Sequence, residues 1–167
     1  MNTIFPTWQT YDNIELEDCY CAAAGHLIRL ITGNEPSEAA ILSAFHAITE
    51  GQDIPEPERK VLNYWRDTGI AGHLISGWSL IDHLNHEKVR RHIRKHGLYV
   101  VLNLPDKAEN DTVWSFFRGP YSGHYVAVVD VCAMGPICVT WGKLRQMTWE
   151  FWDSCVVTAE TIHLIPR

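Results

Sequence analysis

The sequence predicts an α+β fold in which a layer of N-terminal helices packs on a C-terminal antiparallel sheet. In the first half of the chain, segments with apolar residues at helical spacing end at glycine. In the second half, short runs rich in β-branched and aromatic residues alternate with turns. The chain has 167 residues and no long linker or internal repeat, so we expect one domain over residues 1–167.

The first half contains four expected helices and one expected strand. Small and apolar residues share one face of the first helix, and Gly33 follows its end. Ser37 is the expected N-cap of the second helix, and Gly97 follows the fourth. The expected helices cover residues 19–31, 37–49, 55–68 and 85–96, and the expected strand covers residues 74–80.

The second half contains five expected strands and one expected helical turn. The strands cover residues 98–104, 124–131, 137–141, 144–148 and 158–165, and the turn covers residues 149–154. Between the first two strands, residues 106–122 form a polar and aromatic loop of the kind that often covers a site. Trp114, Phe116 and Phe117 in this loop either line a substrate groove or fold back onto the protein.

Composition excludes several classes of protein. With 14 basic and 20 acidic residues the net charge is −6, which argues against general binding to nucleic acid or to an anionic membrane. No apolar stretch approaches the roughly 20 residues of a membrane span, and the first eleven residues lack the features of a signal peptide. The odd count of five cysteines favours reduced thiols. We therefore expect a cytoplasmic protein.

The strongest functional signal is Asp18-Cys19, at the start of the first expected helix, with His124 about a hundred residues later on an expected strand. The helix N-terminus favours a thiolate, whereas the charge of Asp18, the expected N-cap, opposes it. We predict that Cys19 is a nucleophile and His124 its general base. The alternative is that Cys19 is a core residue and His124 a surface residue. Cys21 is a competing thiol, about 200° around the helix from Cys19.

Two further residues complete the candidate site. A third group should orient the imidazole of His124, and Thr140 is the only side-chain acceptor in the segment 138–142 where we expect it. The backbone N–H of Cys19 and the side-chain amide of Asn13, six residues upstream, are the expected oxyanion donors, with Gln9 as another available amide.

The nine histidines do not form a metal motif. His92 and His96 are four residues apart on one helix, but no Cys-x-x-Cys or His-Glu-x-x-His occurs. Five Lys and Arg residues share that helix, which favours a solvated basic face that can contact an acidic partner. We expect no cofactor and no metal.

These residues resemble papain-like cysteine peptidases, including the peptidase domains that cut double-glycine leaders. Asp18-Cys19 and Gly123-His124 match their helix start and their strand, and Thr140-Trp141-Gly142 is similar to the Ser-Trp-Gly that follows the papain-type orienting asparagine. Val139 stands in the place of that asparagine, and Asn13 stands where such families carry the oxyanion glutamine. The resemblance implies a papain-like fold.

Most of the chain also resembles a family of small uncharacterised phage and prophage proteins. The segments that carry this resemblance are Asp18-Cys19 with Ala22-Ala23, 62–73, Gly123-His124, 139–142 and 147–149. Together the two resemblances imply a phage or prophage cysteine hydrolase that acts on a peptide or protein, in the host cytoplasm or the virion. The alternative is an inactive protein on the same scaffold that serves as a virion component or binds a host protein.

Overall fold

The fold is a mixed α+β arrangement in the computed structural model, which describes residues 7–15, 17–115 and 118–166. Its helices are α1 (Cys19–Thr32), α2 (Glu38–Thr49), α3 (Pro57–Asp67), α4 (His86–His96) and α5 (Trp149–Cys155). Its strands are β1 (Ile75–Leu80), β2 (Leu98–Pro105), β3 (Val113–Trp114), β4 (Tyr121–Val131), β5 (Pro136–Thr140), β6 (Lys143–Met147) and β7 (Val156–Leu164). A short 3₁₀ helix covers Asp106–Ala108. Within the described ranges, no helix has both the length and the apolar character that crossing a membrane requires.

One seven-stranded sheet, in the order β1-β7-β2-β4-β5-β6-β3, forms the centre of the described structure. Its pairs are antiparallel except for β3 with β6, which run parallel. The predicted α+β class is therefore confirmed. The strand β3 lies inside the segment expected to be a loop, because two residues are too short to show a strand pattern.

Helices cover both faces of the sheet, whereas the sequence led us to expect one helical layer. Alternate residues of β2 point to opposite faces, so Tyr99 packs in the core formed with α1, α2 and α3, and Val100 packs in the core formed with α4 and α5. On β4, Ala127 likewise packs in the core with α1, α2 and α3, and Val128 packs in the core with α4 and α5. The central strands are therefore buried on both sides.

The aromatic loop residue Trp114 folds back rather than lining a groove. Its side chain is fully buried, and its indole N–H donates a hydrogen bond to the Ala108 carbonyl at 2.8 Å. Phe116 and Phe117, for which the same two alternatives applied, lie outside the described residues.

The start of α1 is fixed against the sheet. The helix packs on β4, as expected, and the buried Tyr99 hydroxyl donates to the Tyr20 carbonyl at 2.8 Å. At the other end, Gly33 adopts a left-handed conformation with φ of 77° and closes the helix. Ser37 caps α2 as predicted, since its side-chain oxygen accepts from the Ala40 N–H. The N-terminus of α1 is thereby held beside the strand that carries His124.

Candidate functional site

A cavity of about 540 Å³ lies where the N-terminus of α1 meets the sheet, and Cys19, His124 and Asn13 all line it. Its first wall is the segment before α1 together with the first turn of that helix. Its second wall is formed by the start of β4 and the segment after β2, with Trp141 from the turn after β5. Three of the four predicted site residues therefore share one cavity, and the fourth, Thr140, lies directly behind His124.

His124 is held by contacts on its ring edge and on its ring face. The Nε2 atom lies 2.8 Å from Thr140 Oγ1, on the adjacent strand β5, and both side chains are buried. The Trp141 ring stacks on the imidazole with 4.6 Å between centroids and 20° between planes. No hydrogen bond to Nδ1 occurs among the described residues, so Nδ1 is the ring nitrogen left for a ligand or for a proton.

Trp141 is a site residue that the sequence-based prediction did not include. Thr140 pairs with Lys143, so Trp141 and Gly142 form the two-residue turn between β5 and β6. Both adopt left-handed backbone conformations, with φ of 48° and 69°, as a type I′ turn requires. A left-handed tryptophan is uncommon, and this strained turn places its ring on His124. The similarity of Thr140-Trp141-Gly142 to Ser-Trp-Gly was the available signal.

Cys19 and His124 are both held in their neutral forms at neutral pH. Burial raises the pKa of Cys19 to about 11, although the N–H groups of Tyr125, Tyr20 and Cys19 itself act in the opposite direction. Burial also lowers the pKa of His124 to about 4. Of the two opposing influences that the sequence indicates, the dipoles at the helix start are therefore outweighed, because loss of hydration and the charge of Asp18 both favour the thiol. No hydrogen bond joins the Cys19 thiol to the His124 ring within the described part of the chain.

Of the five cysteines, all in the described ranges, Cys19 is the one that lines this cavity. Cys21 has no exposed surface and belongs to the core with α1, α2 and α3, and burial raises its pKa well above the ordinary value. Cys132 directly follows β4, is exposed, and does not line the cavity. The competition between Cys19 and Cys21 is therefore resolved by the side of the helix that each occupies.

Asp18 stands at the N-cap position, but its side chain makes no capping hydrogen bond, contrary to expectation. Its φ of −100° and ψ of 16° are not the extended conformation that lets a side chain reach back to the helix. Its backbone carbonyl instead accepts from the N–H groups of Cys21 and Ala22. Both carboxylate oxygens are buried without a hydrogen-bond partner, and burial, followed by the charge of Asp12, raises the pKa to about 7.

Asn13 presents a buried side-chain amide to the cavity. Its backbone N–H donates to the Thr10 carbonyl at 3.1 Å, in a tight turn where Tyr11 and Asp12 are left-handed. The residue is 7% exposed, and its side chain has no hydrogen bond to any described residue. Its amide atoms are not among the fully enclosed polar atoms without a partner, so they open onto the cavity and can bind a polar atom of a ligand.

No group of three or more His, Cys, Asp or Glu side chains that could hold a metal ion occurs among the described residues. Two of the three histidines of α4 contact a polar side chain rather than a cluster of possible metal ligands. His92 Nδ1 lies 3.1 Å from Thr161 Oγ1, and His86 Nε2 lies 2.7 Å from Asp153.

Solved structures of cysteine proteases share this architecture. The chain matches the Carica candamarcensis cysteine protease CMS1MS2, solved in complex with E-64, with a TM-score of 0.64 and 12% identity over 97% of this chain and 100% of that chain. It matches xylellain, a cysteine protease from Xylella fastidiosa, with a TM-score of 0.67 and 12% identity over 90% of this chain and 81% of that chain. The fold is papain-like. The chain also matches bromelain from Ananas comosus, solved in complex with the E64 inhibitor, with a TM-score of 0.62 and 12% identity over 96% of this chain and 94% of that chain.

No protein-family model and no curated protein matches the sequence, so the likeness is one of three-dimensional structure. These neighbours carry no information on phage origin or on double-glycine leaders, and both stay predictions from the sequence. Within the papain-like fold, the catalytic roles of Cys19, His124, Thr140 and Asn13 also stay predictions.

Four acidic residues of the cavity lining were likewise absent from the sequence-based site. Glu15 and Glu17 precede α1, and Asp106 and Glu109 follow β2. Nothing in the sequence links the two pairs, which are about ninety residues apart.

Proposed function

We propose that the chain is a cysteine hydrolase that cleaves an amide bond of a peptide or protein, as a peptidase, isopeptidase or amidase. The observation that carries this proposal is the shared cavity of Cys19 and His124, with His124 Nε2 bonded to Thr140. The papain-like fold, found also in solved cysteine proteases, supports this class of reaction. Because fold alone does not fix function, the proposal depends on these side chains.

In the first step, His124 accepts the thiol proton as Cys19 attacks the carbonyl carbon of the substrate. Nε2–H donates to Thr140 Oγ1, which leaves the Nδ1 lone pair free to accept that proton. Because both groups are neutral at rest, the proton moves during the attack and not before the substrate binds.

The tetrahedral intermediate carries a negative oxygen that needs hydrogen-bond donors. The side-chain amide of Asn13 and the backbone N–H of Cys19 supply them in the proposed site. The carbon–nitrogen bond then breaks, and the leaving amine takes the proton from the imidazolium of His124. Water, deprotonated by His124, attacks the thioester and releases the acid and the free thiol.

The biological setting that we propose is a phage or prophage protein acting in the host cell, on a host or phage protein. The resemblance of the segments named above to phage and prophage proteins is the support for this setting. The net charge of −6 argues against nucleic acid as the substrate and supports a protein substrate.

Cleavage of a proteome-derived peptide library, measured by mass spectrometry, tests the proposal. We expect the wild-type protein and Cys21→Ala to produce the same set of cleaved peptides, because Cys21 does not line the cavity. We expect Cys19→Ala to produce none. Equal cleavage by Cys19→Ala would contradict the proposal. No cleavage by the folded wild-type protein would contradict it too and would favour the inactive, binding protein.

A further inference from the structure

Acidic side chains stand on both walls of the cavity that Cys19 and His124 line, which we call the acidic cleft. Glu15 and Glu17 belong to the wall before α1, and Asp106 and Glu109 belong to the wall after β2. All four side chains are exposed, and no lysine or arginine is part of the lining. Four like charges around one opening create a negative potential there.

These carboxylates are not neutralised within the protein. None of the four forms an ion pair with a described residue, and the hydrogen bond found is a long one from the Ser122 hydroxyl to Asp106, at 3.5 Å. An exposed carboxylate without a partner keeps its full charge toward the solvent. The charge on both walls is therefore available to a ligand.

The nearest basic side chains lie outside the cleft. Lys107 is between Asp106 and Glu109 in sequence but does not line the cavity. Lys143 and Arg145 line a smaller adjoining hollow that shares Glu109 with the cleft, and Arg145 Nη1 donates to the Asp111 carbonyl at 3.0 Å. Their charge weakens the effect of Glu109, so the negative potential is strongest near Glu15, Glu17 and Asp106.

A second observation shows that the cleft is shaped for a ligand with an amide carbonyl. Asn13 is more than nine-tenths buried and lines the cleft, and its side chain has no partner among the described residues. Its N–H₂ donors suit a carbonyl oxygen, which a metal ion does not provide. The described residues also contain no cluster with the make-up of a metal site. A peptide that carries lysine or arginine offers both a cation for the carboxylates and a carbonyl oxygen for this amide.

We propose that the acidic cleft accepts a basic peptide segment, with lysine or arginine side chains on both sides of the bond next to Cys19. The proposal rests on the function proposed above and narrows its substrate class. Lysine and arginine on opposite sides of the bond match carboxylates on opposite walls. Because the four carboxylates are exposed, the attraction is screened by salt and acts on the rate of association as well as on affinity.

Matched peptidyl acyloxymethyl ketones test this preference. Such a probe alkylates an activated thiol: the sulfur forms a bond to the methylene carbon and the carboxylate leaves. Two probes differ only in carrying lysine or glutamate at the two peptide positions that precede the ketone. In the Cys132→Ser background, which removes the exposed thiol, we expect Cys19 to react about tenfold faster with the lysine probe at low ionic strength. In 0.5 M salt we expect this ratio to fall to about two.

A double variant with one change on each wall separates a local effect from the effect of net charge. We expect Glu17→Gln with Asp106→Asn to slow the reaction of the lysine probe about threefold to tenfold. The matched control, Glu87→Gln with Glu150→Gln, removes two exposed carboxylates outside the cleft lining and should change this rate less than twofold. Equal rates for the two probes, or equal effects of the two double variants, would overturn the inference.

Binding to Cys19→Ala distinguishes a failure of this inference from a failure of the proposed hydrolase. Fluorescence anisotropy compares a lysine-rich peptide with its glutamate counterpart on this variant, which needs no reactive thiol. Tighter binding of the basic peptide, reduced by the Glu17 and Asp106 changes, would support the cleft as a basic-peptide site even if no probe labelled Cys19. Equal binding of both peptides would overturn the inference whatever the reactivity of the thiol.

Discussion

Two cavities of similar size but opposite charge lie on different parts of this molecule. The acidic cleft of about 540 Å³ contains Cys19 and His124, whereas a cavity of about 510 Å³ between α4, the edge strand β1 and its neighbour β7 is basic. We call the second one the basic hollow; its charged and imidazole side chains are Lys88, Lys95, His92, His96 and His163. Its lining contains no cysteine and no carboxylate.

The difference between them lies in buried polar groups more than in volume. In the acidic cleft, His124 and Asn13 are buried and each keeps a polar group without a protein partner. In the basic hollow, Lys88 and Lys95 are exposed, and His163 Nε2 already lies 2.9 Å from Ser79 Oγ. The acidic cleft therefore combines a thiol with an imidazole whose Nδ1 has no partner among the described residues, whereas no cysteine lines the basic hollow.

The largest effect should come from His124→Ala. Without the imidazole only weakly basic carboxylates remain in the described cleft lining, and a thiol with a pKa of about 11 is a poor nucleophile at neutral pH. We expect Cys19 alkylation by the lysine acyloxymethyl ketone to slow by about 100-fold or more. His92→Ala, in the basic hollow, is the matched control and should leave the rate within twofold. If both variants slowed Cys19 alkylation equally, the imidazole of the acidic cleft would have no special role in activating the thiol.

A smaller effect is expected from Thr140→Val. The change removes the group that holds His124 Nε2, at 2.8 Å, and leaves a buried ring nitrogen without a partner. We expect kcat for a cleaved library peptide to fall about tenfold with KM little changed, and Thr140→Ser to restore it. A positioning role would be contradicted if Thr140→Val and Thr140→Ser gave the same kcat.

Asp18, the buried acid behind the acidic cleft, should affect stability. The folded state raises the pKa of Asp18 from about 4 to about 7, so it holds a proton that the unfolded chain has lost in this range. Unfolding free energy therefore falls as pH rises through this window. We expect Asp18→Asn to be more stable than the wild type by on the order of 1–3 kcal/mol at pH 8, with little difference at pH 4.

Denaturant unfolding at both pH values measures this difference, with Asp53→Asn as a control at an exposed carboxylate. A stability difference between Asp18→Asn and the wild type that is the same at pH 4 and pH 8 would show that folding does not shift the pKa of Asp18, and would contradict this prediction.

The smallest effect should come from the basic hollow itself. Lys88 and Lys95 do not line the acidic cleft, and their charges are exposed and screened. We expect Lys88→Gln with Lys95→Gln to change Cys19 alkylation less than twofold. A large change, measured with the lysine probe, would show that the two cavities are coupled.

Much of the local structure could be predicted from local chemistry. Ser37 caps α2, glycines follow α1 and α4, and the apolar β-branched run in β4 forms a central strand. Cys19 and His124 could be proposed because a thiol at a helix start and a histidine on a strand are rare enough to be noticed. Thr140 could be proposed because its segment offers no other side-chain acceptor.

The rest depends on contacts between distant parts of the chain. The placement of α4 and α5 on the second face of the sheet follows from burial of β2 and β4 on both sides, which sequence alternation did not reveal. Glu15 and Asp106 line the same cavity because the end of β2 lies beside the start of α1. The neutral state of Cys19 arises from burial, which opposes the helix dipole and is invisible in the sequence.

Peptide-mapping mass spectrometry after reaction with the lysine acyloxymethyl ketone tests the central claim most directly, since that claim is that His124 activates Cys19. The account predicts one adduct, on Cys19, in the Cys132→Ser protein, and loss of that adduct when His124→Ala is added to the same background. Modification of Cys19 to the same extent with and without His124, or an adduct on Cys21 in place of Cys19, would contradict it.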